Sequence, residues 1–371
     1  MRKILKKMKD EKGSITSVVL VTVLFFIIIL STALMISGTQ RKSQLDSEIT
    51  LKQVYQNQVD DAEKISKSLV VVKAPIPDGF YYVGGTDDSG VVISDNIADK
   101  DRYKGEEDVG TDLVGNQFVW IPVDSIADYK RTAYYSNVAT GTIDTTTNSE
   151  QIKARSSDSY YFIEALPEDE KTSVEKNKGY YIGRYEAGDK ESTEAEKLRE
   201  DGASTSNTIT VKAGQVPYNY VTRDDAKSLA EGFSAKQGYT SVKSKLVSSY
   251  AWDTAIEFIQ KKNSDYGNKS TEGNYYNTTF TYTDITRTSQ TKAYRTNTLI
   301  PTGQTTAVNN IYDMGGNVNE WTTENHSYAS NSRTCRGGTY RVLFETNPPG
   351  GRTWYSERTG DYLGFRITLF L

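Results

Sequence analysis

The sequence predicts an α+β protein in which a long N-terminal helix precedes one irregular globular domain. An apolar segment near the N terminus is long enough to cross a membrane, and a helical apolar pattern follows it as far as Leu69. After Pro77 the signals are short strands separated by long polar loops. There is no internal repeat, and the many non-periodic segments favour a single irregular domain.

The apolar segment runs from Val18 to Ile36 within a stretch from Gly13 to Gln40 that has no charged residue. With the two residues that follow it, the segment reaches the roughly 20 residues that a bilayer requires, and it has no polar face. We therefore predict a transmembrane helix over residues 14–38 that contacts membrane lipid. Six Lys/Arg residues precede it, which predicts a single-pass protein of the cell membrane with a cytoplasmic N terminus and an extracellular C-terminal domain. A cleaved secretory signal is the alternative, although no clear cleavage site follows the segment.

A basic leader occupies residues 1–13 and ends in Lys-Gly. A short basic leader of this kind before a long apolar helix resembles the type IV prepilins. The resemblance implies cleavage between Gly13 and Ser14 by a prepilin peptidase, and pilin-like subunits as partners. Type IV pilins usually carry Glu at the fifth mature position, where this chain has Val18, and this departure argues against filament assembly. A plain N-terminal anchor is the alternative.

Apolar residues continue at helical spacing beyond the membrane segment, from Leu51 through Val59 to Leu69. Neither Gly nor Pro lies between Gln40 and Leu69, so we predict a helical stalk over residues 39–74. β-Branched residues and two prolines end the stalk.

Charge and composition exclude several classes of function. The first 42 residues carry eight Lys/Arg and two Asp/Glu, so the rest of the chain, with 36 basic and 46 acidic groups, has a net charge of −10. An acidic body repels phosphate backbones, and we expect no nucleic-acid partner. The chain has one cysteine, Cys335, and one histidine, His326, which excludes an internal disulfide and a Cys/His zinc site.

The body of the chain has local strand and helix signals. The predicted elements are strands at residues 80–83, 117–122 and 179–186 and helices at residues 223–233 and 248–261. Residues 187–207 and 263–297 are rich in charged and small polar residues, so we expect surface loops there.

Three motifs near the C terminus are the most specific feature of the sequence. They are Asn310-Ile-Tyr-Asp-Met-Gly-Gly-Asn-Val-Asn-Glu-Trp-Thr322, Arg336-Gly-Gly-Thr-Tyr340 and Leu363-Gly-Phe-Arg366. In this order and spacing they resemble the formylglycine-generating-enzyme family, also called the sulfatase-modifying-factor family. The resemblance spans residues 78–371 and implies a C-type-lectin-like α+β fold. On physical grounds, the glycine pairs permit backbone conformations closed to other residues, and the two arginines can bridge buried carbonyls.

The resemblance also implies the family's chemistry, in which aerobic members oxidise a cysteine with copper held by two thiolates. Copper(I) selects soft sulfur ligands, and the matching positions in this chain are Val342 and Asn347. Cys335 lies on the other side of the motif, and we predict a small buried strand residue. We expect His326 to be solvated in a polar loop. The sequence therefore predicts no copper and no enzymatic activity; an active oxidase of this family, or another enzyme, is the alternative.

The glycine-rich loop of the first motif suits a metal of another kind. In the family the equivalent loop binds calcium through side chains at its first and last positions and through carbonyls between them. The resemblance implies Ca²⁺ ligands at Asp313 and Glu320 and at the carbonyls of Gly316 and Val318, and hard oxygen ligands suit this ion. The alternative is that the two carboxylates stabilise the loop without metal. Asn319 stands where the family usually has Trp.

These observations predict a membrane-anchored, pilin-like surface protein that displays a non-catalytic, adhesin-like domain for an unidentified extracellular ligand. Lectin-like folds tolerate variable loops, so ligand contacts are expected within residues 339–362. The candidate residues of this surface are Tyr340, Arg341, Phe344, Asn347, Arg352, Trp354 and Tyr355. A minor pilin with a structural role is a further alternative.

Overall fold

The chain divides into two compact units, Met1–Val71 and Val72–Leu371. A computed structural model describes residues 23–24, 26, 51–61, 71–134, 142–143, 151–153, 159–190, 199–206 and 208–371. In the first unit, residues 51–61 of the predicted stalk are helical. Gly13, Ser14 and most of the predicted transmembrane helix lie outside the described residues, among which no helix has the length and apolarity to cross a bilayer.

A six-stranded antiparallel sheet organises the second unit. In spatial order its strands are β1 (Tyr81–Gly84), β2 (Val92–Ser94), β3 (Gln117–Pro122), β7 (Gly179–Gly183), β18 (Ile367–Phe370) and β11 (Lys243–Leu246). Along β3, Phe118 and Trp120 belong to one buried apolar cluster, and Val119 and Ile121 belong to another. Because successive side chains of a strand point to opposite faces, both faces of this sheet are covered. A strand buried on both faces is apolar throughout, which is the pattern that predicted β3.

The described part of this unit contains three α-helices. They are α1 (Glu168–Asn177), α2 (Arg223–Gln237) and α3 (Ser249–Gln260). The predictions of α2 and α3 are confirmed. Helix α2 continues four residues beyond its predicted end, to Gln237, and Gly238, with a φ of +75°, forms its left-handed cap. At the start of α2 the side chain of Thr222 accepts a hydrogen bond from the Asp225 backbone. Residues of α2 and α3 join the two different apolar clusters, so the helices cover opposite faces of the sheet.

A second sheet carries the C-terminal motifs. Its strands, in order, are β16 (Arg352–Ser356), β15 (Ser332–Arg336), β14 (Asn319–His326), β6 (Phe162–Ile163), β5 (Gln151–Lys153) and β4 (Thr142–Ile143), with β17 (Leu363–Phe365) parallel to β14. A three-stranded sheet contains β8 (Gly188–Asp189), β9 (Ile209–Thr210) and β10 (Val216–Pro217). A two-stranded sheet pairs β12 (Phe280–Thr283) with β13 (Ser289–Lys292). The α+β class predicted from the sequence is confirmed.

The prediction that residues 263–297 form a surface loop holds for only part of the segment, which is largely exposed but forms the hairpin of β12 and β13 and sends several side chains into the interior. Tyr266 and Tyr275 are buried in this segment, and Lys292 is 1% exposed. The Lys292 ammonium donates to the carbonyls of Tyr275 and Thr278 at 2.6 and 2.7 Å, which lets a polar segment enter the interior.

The second predicted surface loop also contributes to the interior. Within residues 187–207, Arg199 is buried, forms an ion pair with Asp189 and stacks 3.9 Å from the Tyr218 ring centroid. Pairing and stacking allow the guanidinium to leave water, so a charged sequence did not mean an exposed segment here.

The two motif arginines bridge buried backbone carbonyls, as predicted. Arg336 donates to the carbonyls of Gly350 and Gly351, each at 2.9 Å. Arg366 donates to the carbonyls of Gly183 and Tyr312 at 2.8 and 2.9 Å. Each guanidinium also meets a buried carboxylate, which balances its charge.

Five charged side chains form a buried network that joins α3 to β14, β15 and β16. Arg352 donates to both carboxylate oxygens of Glu324 at 3.1 Å and to Asp253 at 2.6 Å. Arg336 pairs with the other oxygen of Asp253, and Arg131 pairs with Glu324. Burial alone would raise the pKa of Glu324, but Arg352 and then Arg131 outweigh it and lower the pKa to about 2.

Replacement of Glu164 by Gln is expected to flatten the pH dependence of stability. Burial, and then the charge of Glu324, raise the pKa of Glu164 from 4.5 to about 8 in the folded chain. The folded state therefore holds this proton more tightly than the unfolded state does. The contribution of Glu164 to the free energy of unfolding is fully present below about pH 4.5 and is lost as the pH rises to about 8.

Urea unfolding between about pH 5 and 8 checks this expectation. The unfolding free energy of Glu164→Gln should fall less steeply with pH than that of the wild type. Equal slopes for the two proteins would show that Glu164 titrates normally in the folded chain.

Candidate functional site

A pocket of about 320 Å³ lies where β14, β16 and residues 339–347 meet. It is lined by Asn319, Thr339, Arg341, Val342, Thr346, Asn347, Thr353, Tyr355 and Tyr362. Small-molecule sites have volumes of roughly 300–1,000 Å³, so the pocket suits a small ligand or one residue of a larger one. Two of its lining residues, Val342 and Asn347, are the positions that the sequence resemblance matched to thiolates.

The floor of the pocket, formed by Asn319, Asn347 and Thr353, is polar and uncharged. Asn347 Nδ2 donates to Thr353 Oγ1 at 2.8 Å and lies 3.5 Å from Asn319 Oδ1. Both asparagines are at most 8% exposed. The floor is therefore a fixed array of carboxamide and hydroxyl groups.

Arg341 stands at the rim and is the one charged residue among the nine that line the pocket. Its guanidinium pairs with Asp361 and lies 5.2 and 5.6 Å from the ring centroids of Tyr340 and Tyr362. The Tyr340 hydroxyl accepts from Arg341 Nε at 3.0 Å and donates to Asp361 at 2.6 Å. These contacts hold the Arg341 head in place and balance its charge beside the pocket.

Three of the candidate surface residues predicted from the sequence meet in this pocket: Arg341, Asn347 and Tyr355. Tyr340 and Phe344 are buried beside it, at 4% and 9% exposure, and support its walls. Tyr340 does so through Arg341, and Phe344 packs edge-on against Tyr275 with ring centroids 6.3 Å apart.

The remaining two candidates, Arg352 and Trp354, lie on the other face of β16. Side chains alternate along a strand, so Thr353 and Tyr355 face the pocket while Arg352 and Trp354 face away from it. Arg352 is 5% exposed within the buried charge network, and its predicted place on a ligand-binding surface is wrong. The strand period, applied to residues 352–356, would have separated these two sets and found Thr353.

The family model of the sulfatase-modifying factor enzyme 1-like domain matches residues 136–369, which is more than half of the chain. The chain belongs to this family. The matched region contains every residue that lines the pocket. The family assignment made from the three C-terminal motifs is therefore confirmed.

Several solved structures are similar to the chain. CarF is 14% identical over 52% of this chain and 87% of its own chain, with a TM-score of 0.35. PvdO from Pseudomonas aeruginosa is 17% identical over 53% of this chain and 82% of its own chain, with a TM-score of 0.32. Treponema denticola variable protein 1 is 14% identical over 71% of this chain and 98% of its own chain, with a TM-score of 0.35. No curated protein sequence matches the chain. Membership of the sulfatase-modifying-factor family rests on the family model.

Cys335, the one thiol of this family member, is a buried strand residue, as predicted. It is 0% exposed on β15, and its Sγ lies 3.5 Å from the Thr353 carbonyl. Burial raises the pKa of the Cys335 thiol, which disfavours the thiolate that binds metals and attacks substrates. Cys335 does not line the pocket.

The prediction that His326 is solvated in a loop is wrong. His326 ends β14, is 7% exposed and stacks on Trp354 with ring centroids 4.7 Å apart. The sequence around it is polar, yet Glu324 and His326 face the interior while Asn325 between them is exposed. The alternation of side chains along the strand, rather than the polarity of the segment, determines which of these residues are buried.

The two carboxylates that the resemblance assigns to calcium, Asp313 and Glu320, accept hydrogen bonds from protein donors. Arg366 donates to both oxygens of Glu320, at 2.6 and 2.8 Å, and so balances its charge. Asp313 accepts from the Gly303 backbone at 2.6 Å and from Thr305 Oγ1 at 2.9 Å. The described part of the chain contains no group of three or more acidic, His or Cys side chains placed to hold a metal.

Calcium takes six to eight oxygen ligands and would compete with the Arg366 guanidinium for Glu320. In this structure the protein donors occupy both carboxylates, as the alternative without metal requires. Calcium binding through Asp313, Gly316, Val318 and Glu320 stays a prediction.

Proposed function

We propose that the chain is a cell-surface protein whose sulfatase-modifying-factor domain binds a ligand in this pocket and does not carry out the family's copper-dependent oxidation. The observation that supports the proposal most directly is that Val342 and Asn347 line one pocket. Neither side chain has a sulfur atom, and Cu(I) needs soft ligands. The pocket lies where the resemblance places the family's oxidation chemistry, but its lining lacks the sulfur ligands that this chemistry requires.

The pocket has features that suit recognition. Its floor is an array of neutral groups that are already hydrogen-bonded to one another, so ligand contacts are fixed in advance. Gly338 has a φ of +77°, and a Cβ there would lie 2.4 Å from the Asn347 carbonyl, so the loop that carries Asn347 packs closely against this turn. A rigid, preformed site loses little conformational entropy on binding.

The anchor is part of the proposal and rests on the sequence. A transmembrane helix over residues 14–38 would hold the domain outside the cell membrane, in contact with lipid and with pilin-like subunits. Mass spectrometry of the N terminus of the membrane-extracted chain tests processing by a prepilin peptidase. A methylated Ser14 supports cleavage after Gly13, whereas an intact Met1 leaves only the plain anchor.

A Cu(I) titration of the purified full chain, with a chromophoric chelator as competitor, tests the absence of the copper site. We expect the wild type to take up no stoichiometric copper, and Cys335→Ser to behave in the same way because this thiol is buried. A Val342→Cys/Asn347→Cys variant is the matched positive control and should gain affinity for Cu(I). Uptake of one equivalent by the wild type would contradict the proposal.

A further inference from the structure

We infer that the ligand of the pocket is an uncharged carbohydrate. The inference rests on the proposed function, since it names the ligand class of the same pocket. Three properties of the lining support it: its charge balance, the hydrogen-bonding groups of its floor and its aromatic wall.

The charge balance of the lining favours a neutral ligand. Arg341 is the one charged lining residue, and it is already paired with Asp361. An anionic ligand would have to compete with Asp361 for this guanidinium, and a cationic ligand would find no carboxylate among the lining residues. Neither sign of charge is therefore favoured over an uncharged group.

The floor offers donors and acceptors close together. A carboxamide has an acceptor oxygen and two donor hydrogens, and a hydroxyl group can both donate and accept a hydrogen bond. Asn347 donates to Thr353, and no described group donates to Asn347 Oδ1. Neighbouring hydroxyls of a sugar ring can donate to one such atom while accepting from the next. An apolar group placed here would leave buried polar atoms without partners, which costs binding free energy.

Two tyrosine rings form one wall of the pocket. Tyr355 and Tyr362 have ring centroids 5.8 Å apart at an interplanar angle of 58°, and both are partly exposed. Tyr355 is supported from behind by the buried Trp321, with centroids 6.3 Å apart and planes at 85°. The electron-rich face of an aromatic ring attracts the polarised C–H bonds on one face of a sugar, while the opposite edge of the sugar keeps its hydroxyls for the floor.

A peptide fits this lining less well than a carbohydrate does. Peptide and protein partners bind most strongly through an apolar or aromatic anchor in a dry pocket. Val342 is the one aliphatic side chain among the nine lining residues, and the floor is polar. A peptide ligand is therefore an outcome of the test rather than a second proposal.

The test uses the purified full chain and three sets of probes. The first set contains neutral oligosaccharides such as lactose, mannobiose and N,N′-diacetylchitobiose, the second contains their sialylated or sulfated forms, and the third contains unglycosylated Ser/Asn-rich peptides. An array screen followed by calorimetry gives the dissociation constants. We expect at least one neutral oligosaccharide to bind and its sialylated or sulfated form to bind no more tightly.

Variants then locate the binding. Asn347→Leu keeps the side-chain size and removes the hydrogen bonds, and it should weaken sugar binding roughly tenfold to a hundredfold. Tyr362→Ala removes part of the wall and should also weaken binding. Asn325→Leu is the matched control, because Asn325 is exposed on β14 away from the pocket, and it should leave the dissociation constant unchanged. A thermal melt of each variant confirms that it is folded.

Several results would overturn the inference. One is that no neutral oligosaccharide binds, and another is that Asn347→Leu and Tyr362→Ala both bind the sugar as the wild type does. If only peptides or anionic glycans bind and the same variants lose them, the pocket is a recognition site but the carbohydrate assignment is wrong. Copper uptake by the wild type would instead contradict the proposed function, so failure of the carbohydrate inference and failure of the proposed function are distinguishable.

Discussion

Replacing Asp253 with Ala is expected to lower the free energy of unfolding by about 3–5 kcal/mol, because it leaves two buried guanidinium groups without a shared counter-ion. Asp253 is 0% exposed and accepts from Arg336, from Arg352 and from the Thr132 backbone. The remaining carboxylate of the network, Glu324, lies on β14 and cannot replace the contact to α3. Urea unfolding at neutral pH measures the loss.

Glu257→Ala is the matched control for this substitution. Glu257 lies on the same helix, but its side chain is 46% exposed and its partner Lys130 is 3.5 Å away at the surface. An exposed ion pair contributes about 0–1 kcal/mol, so the control should unfold almost as the wild type does. Equal losses for the two variants would mean that the buried network does not hold α3 against the second sheet.

Replacing Gly316 with Ala is expected to cost on the order of 4 kcal/mol, because both the backbone conformation and the available space oppose a side chain there. Gly316 has a φ of +73°, and a Cβ would lie 2.4 Å from the carbonyl oxygen of Asn274 and 2.8 Å from its nitrogen. Backbone atoms cannot rotate away as the end of a side chain can. The glycine-rich loop that leads to Asn319 would have to move, and with it the floor of the pocket.

Gly214→Ala separates the two causes. Gly214 has a φ of +71°, almost the same as that of Gly316, but a Cβ there would meet no atom within 4 Å. Its substitution should cost about 1–2 kcal/mol, from the left-handed backbone alone. Chemical denaturation of both variants gives the comparison, and a Gly316 variant no less stable than the Gly214 variant would rule out the close backbone approach.

The features that the sequence predicted are those with a local physical cause. Residues 118–122 of β3 are apolar because both faces of the strand are covered, and α2 begins after a capping threonine, close to its predicted start. Arg336 stands beside the turn of Gly337 and Gly338, and both Arg336 and Arg366 have carbonyls within reach of the guanidinium. The motifs that carry the family resemblance also located Val342 and Asn347, which line the pocket.

The features that the sequence missed depend on contacts between distant residues. Arg352 is buried because Glu324 and Asp253, 28 and 99 positions away along the chain, both accept from it. Lys292 enters the interior because backbone carbonyls 14 and 17 positions away receive its protons. The polarity of the residues around His326 predicts a loop, but the pairing of β14 with β6 decides its burial. Composition alone could not reveal these partners.

The family's own reaction offers the most direct test of whether this pocket has exchanged catalysis for recognition. The purified full chain is incubated with Cu(I), oxygen and a cysteine-containing peptide, and the peptide is followed by mass spectrometry. With Val342 and Asn347 in place of the thiols, the account predicts a peptide that remains a thiol, or forms disulfide at the rate seen without protein. Conversion of its cysteine to formylglycine, at a rate proportional to protein concentration, would contradict the account.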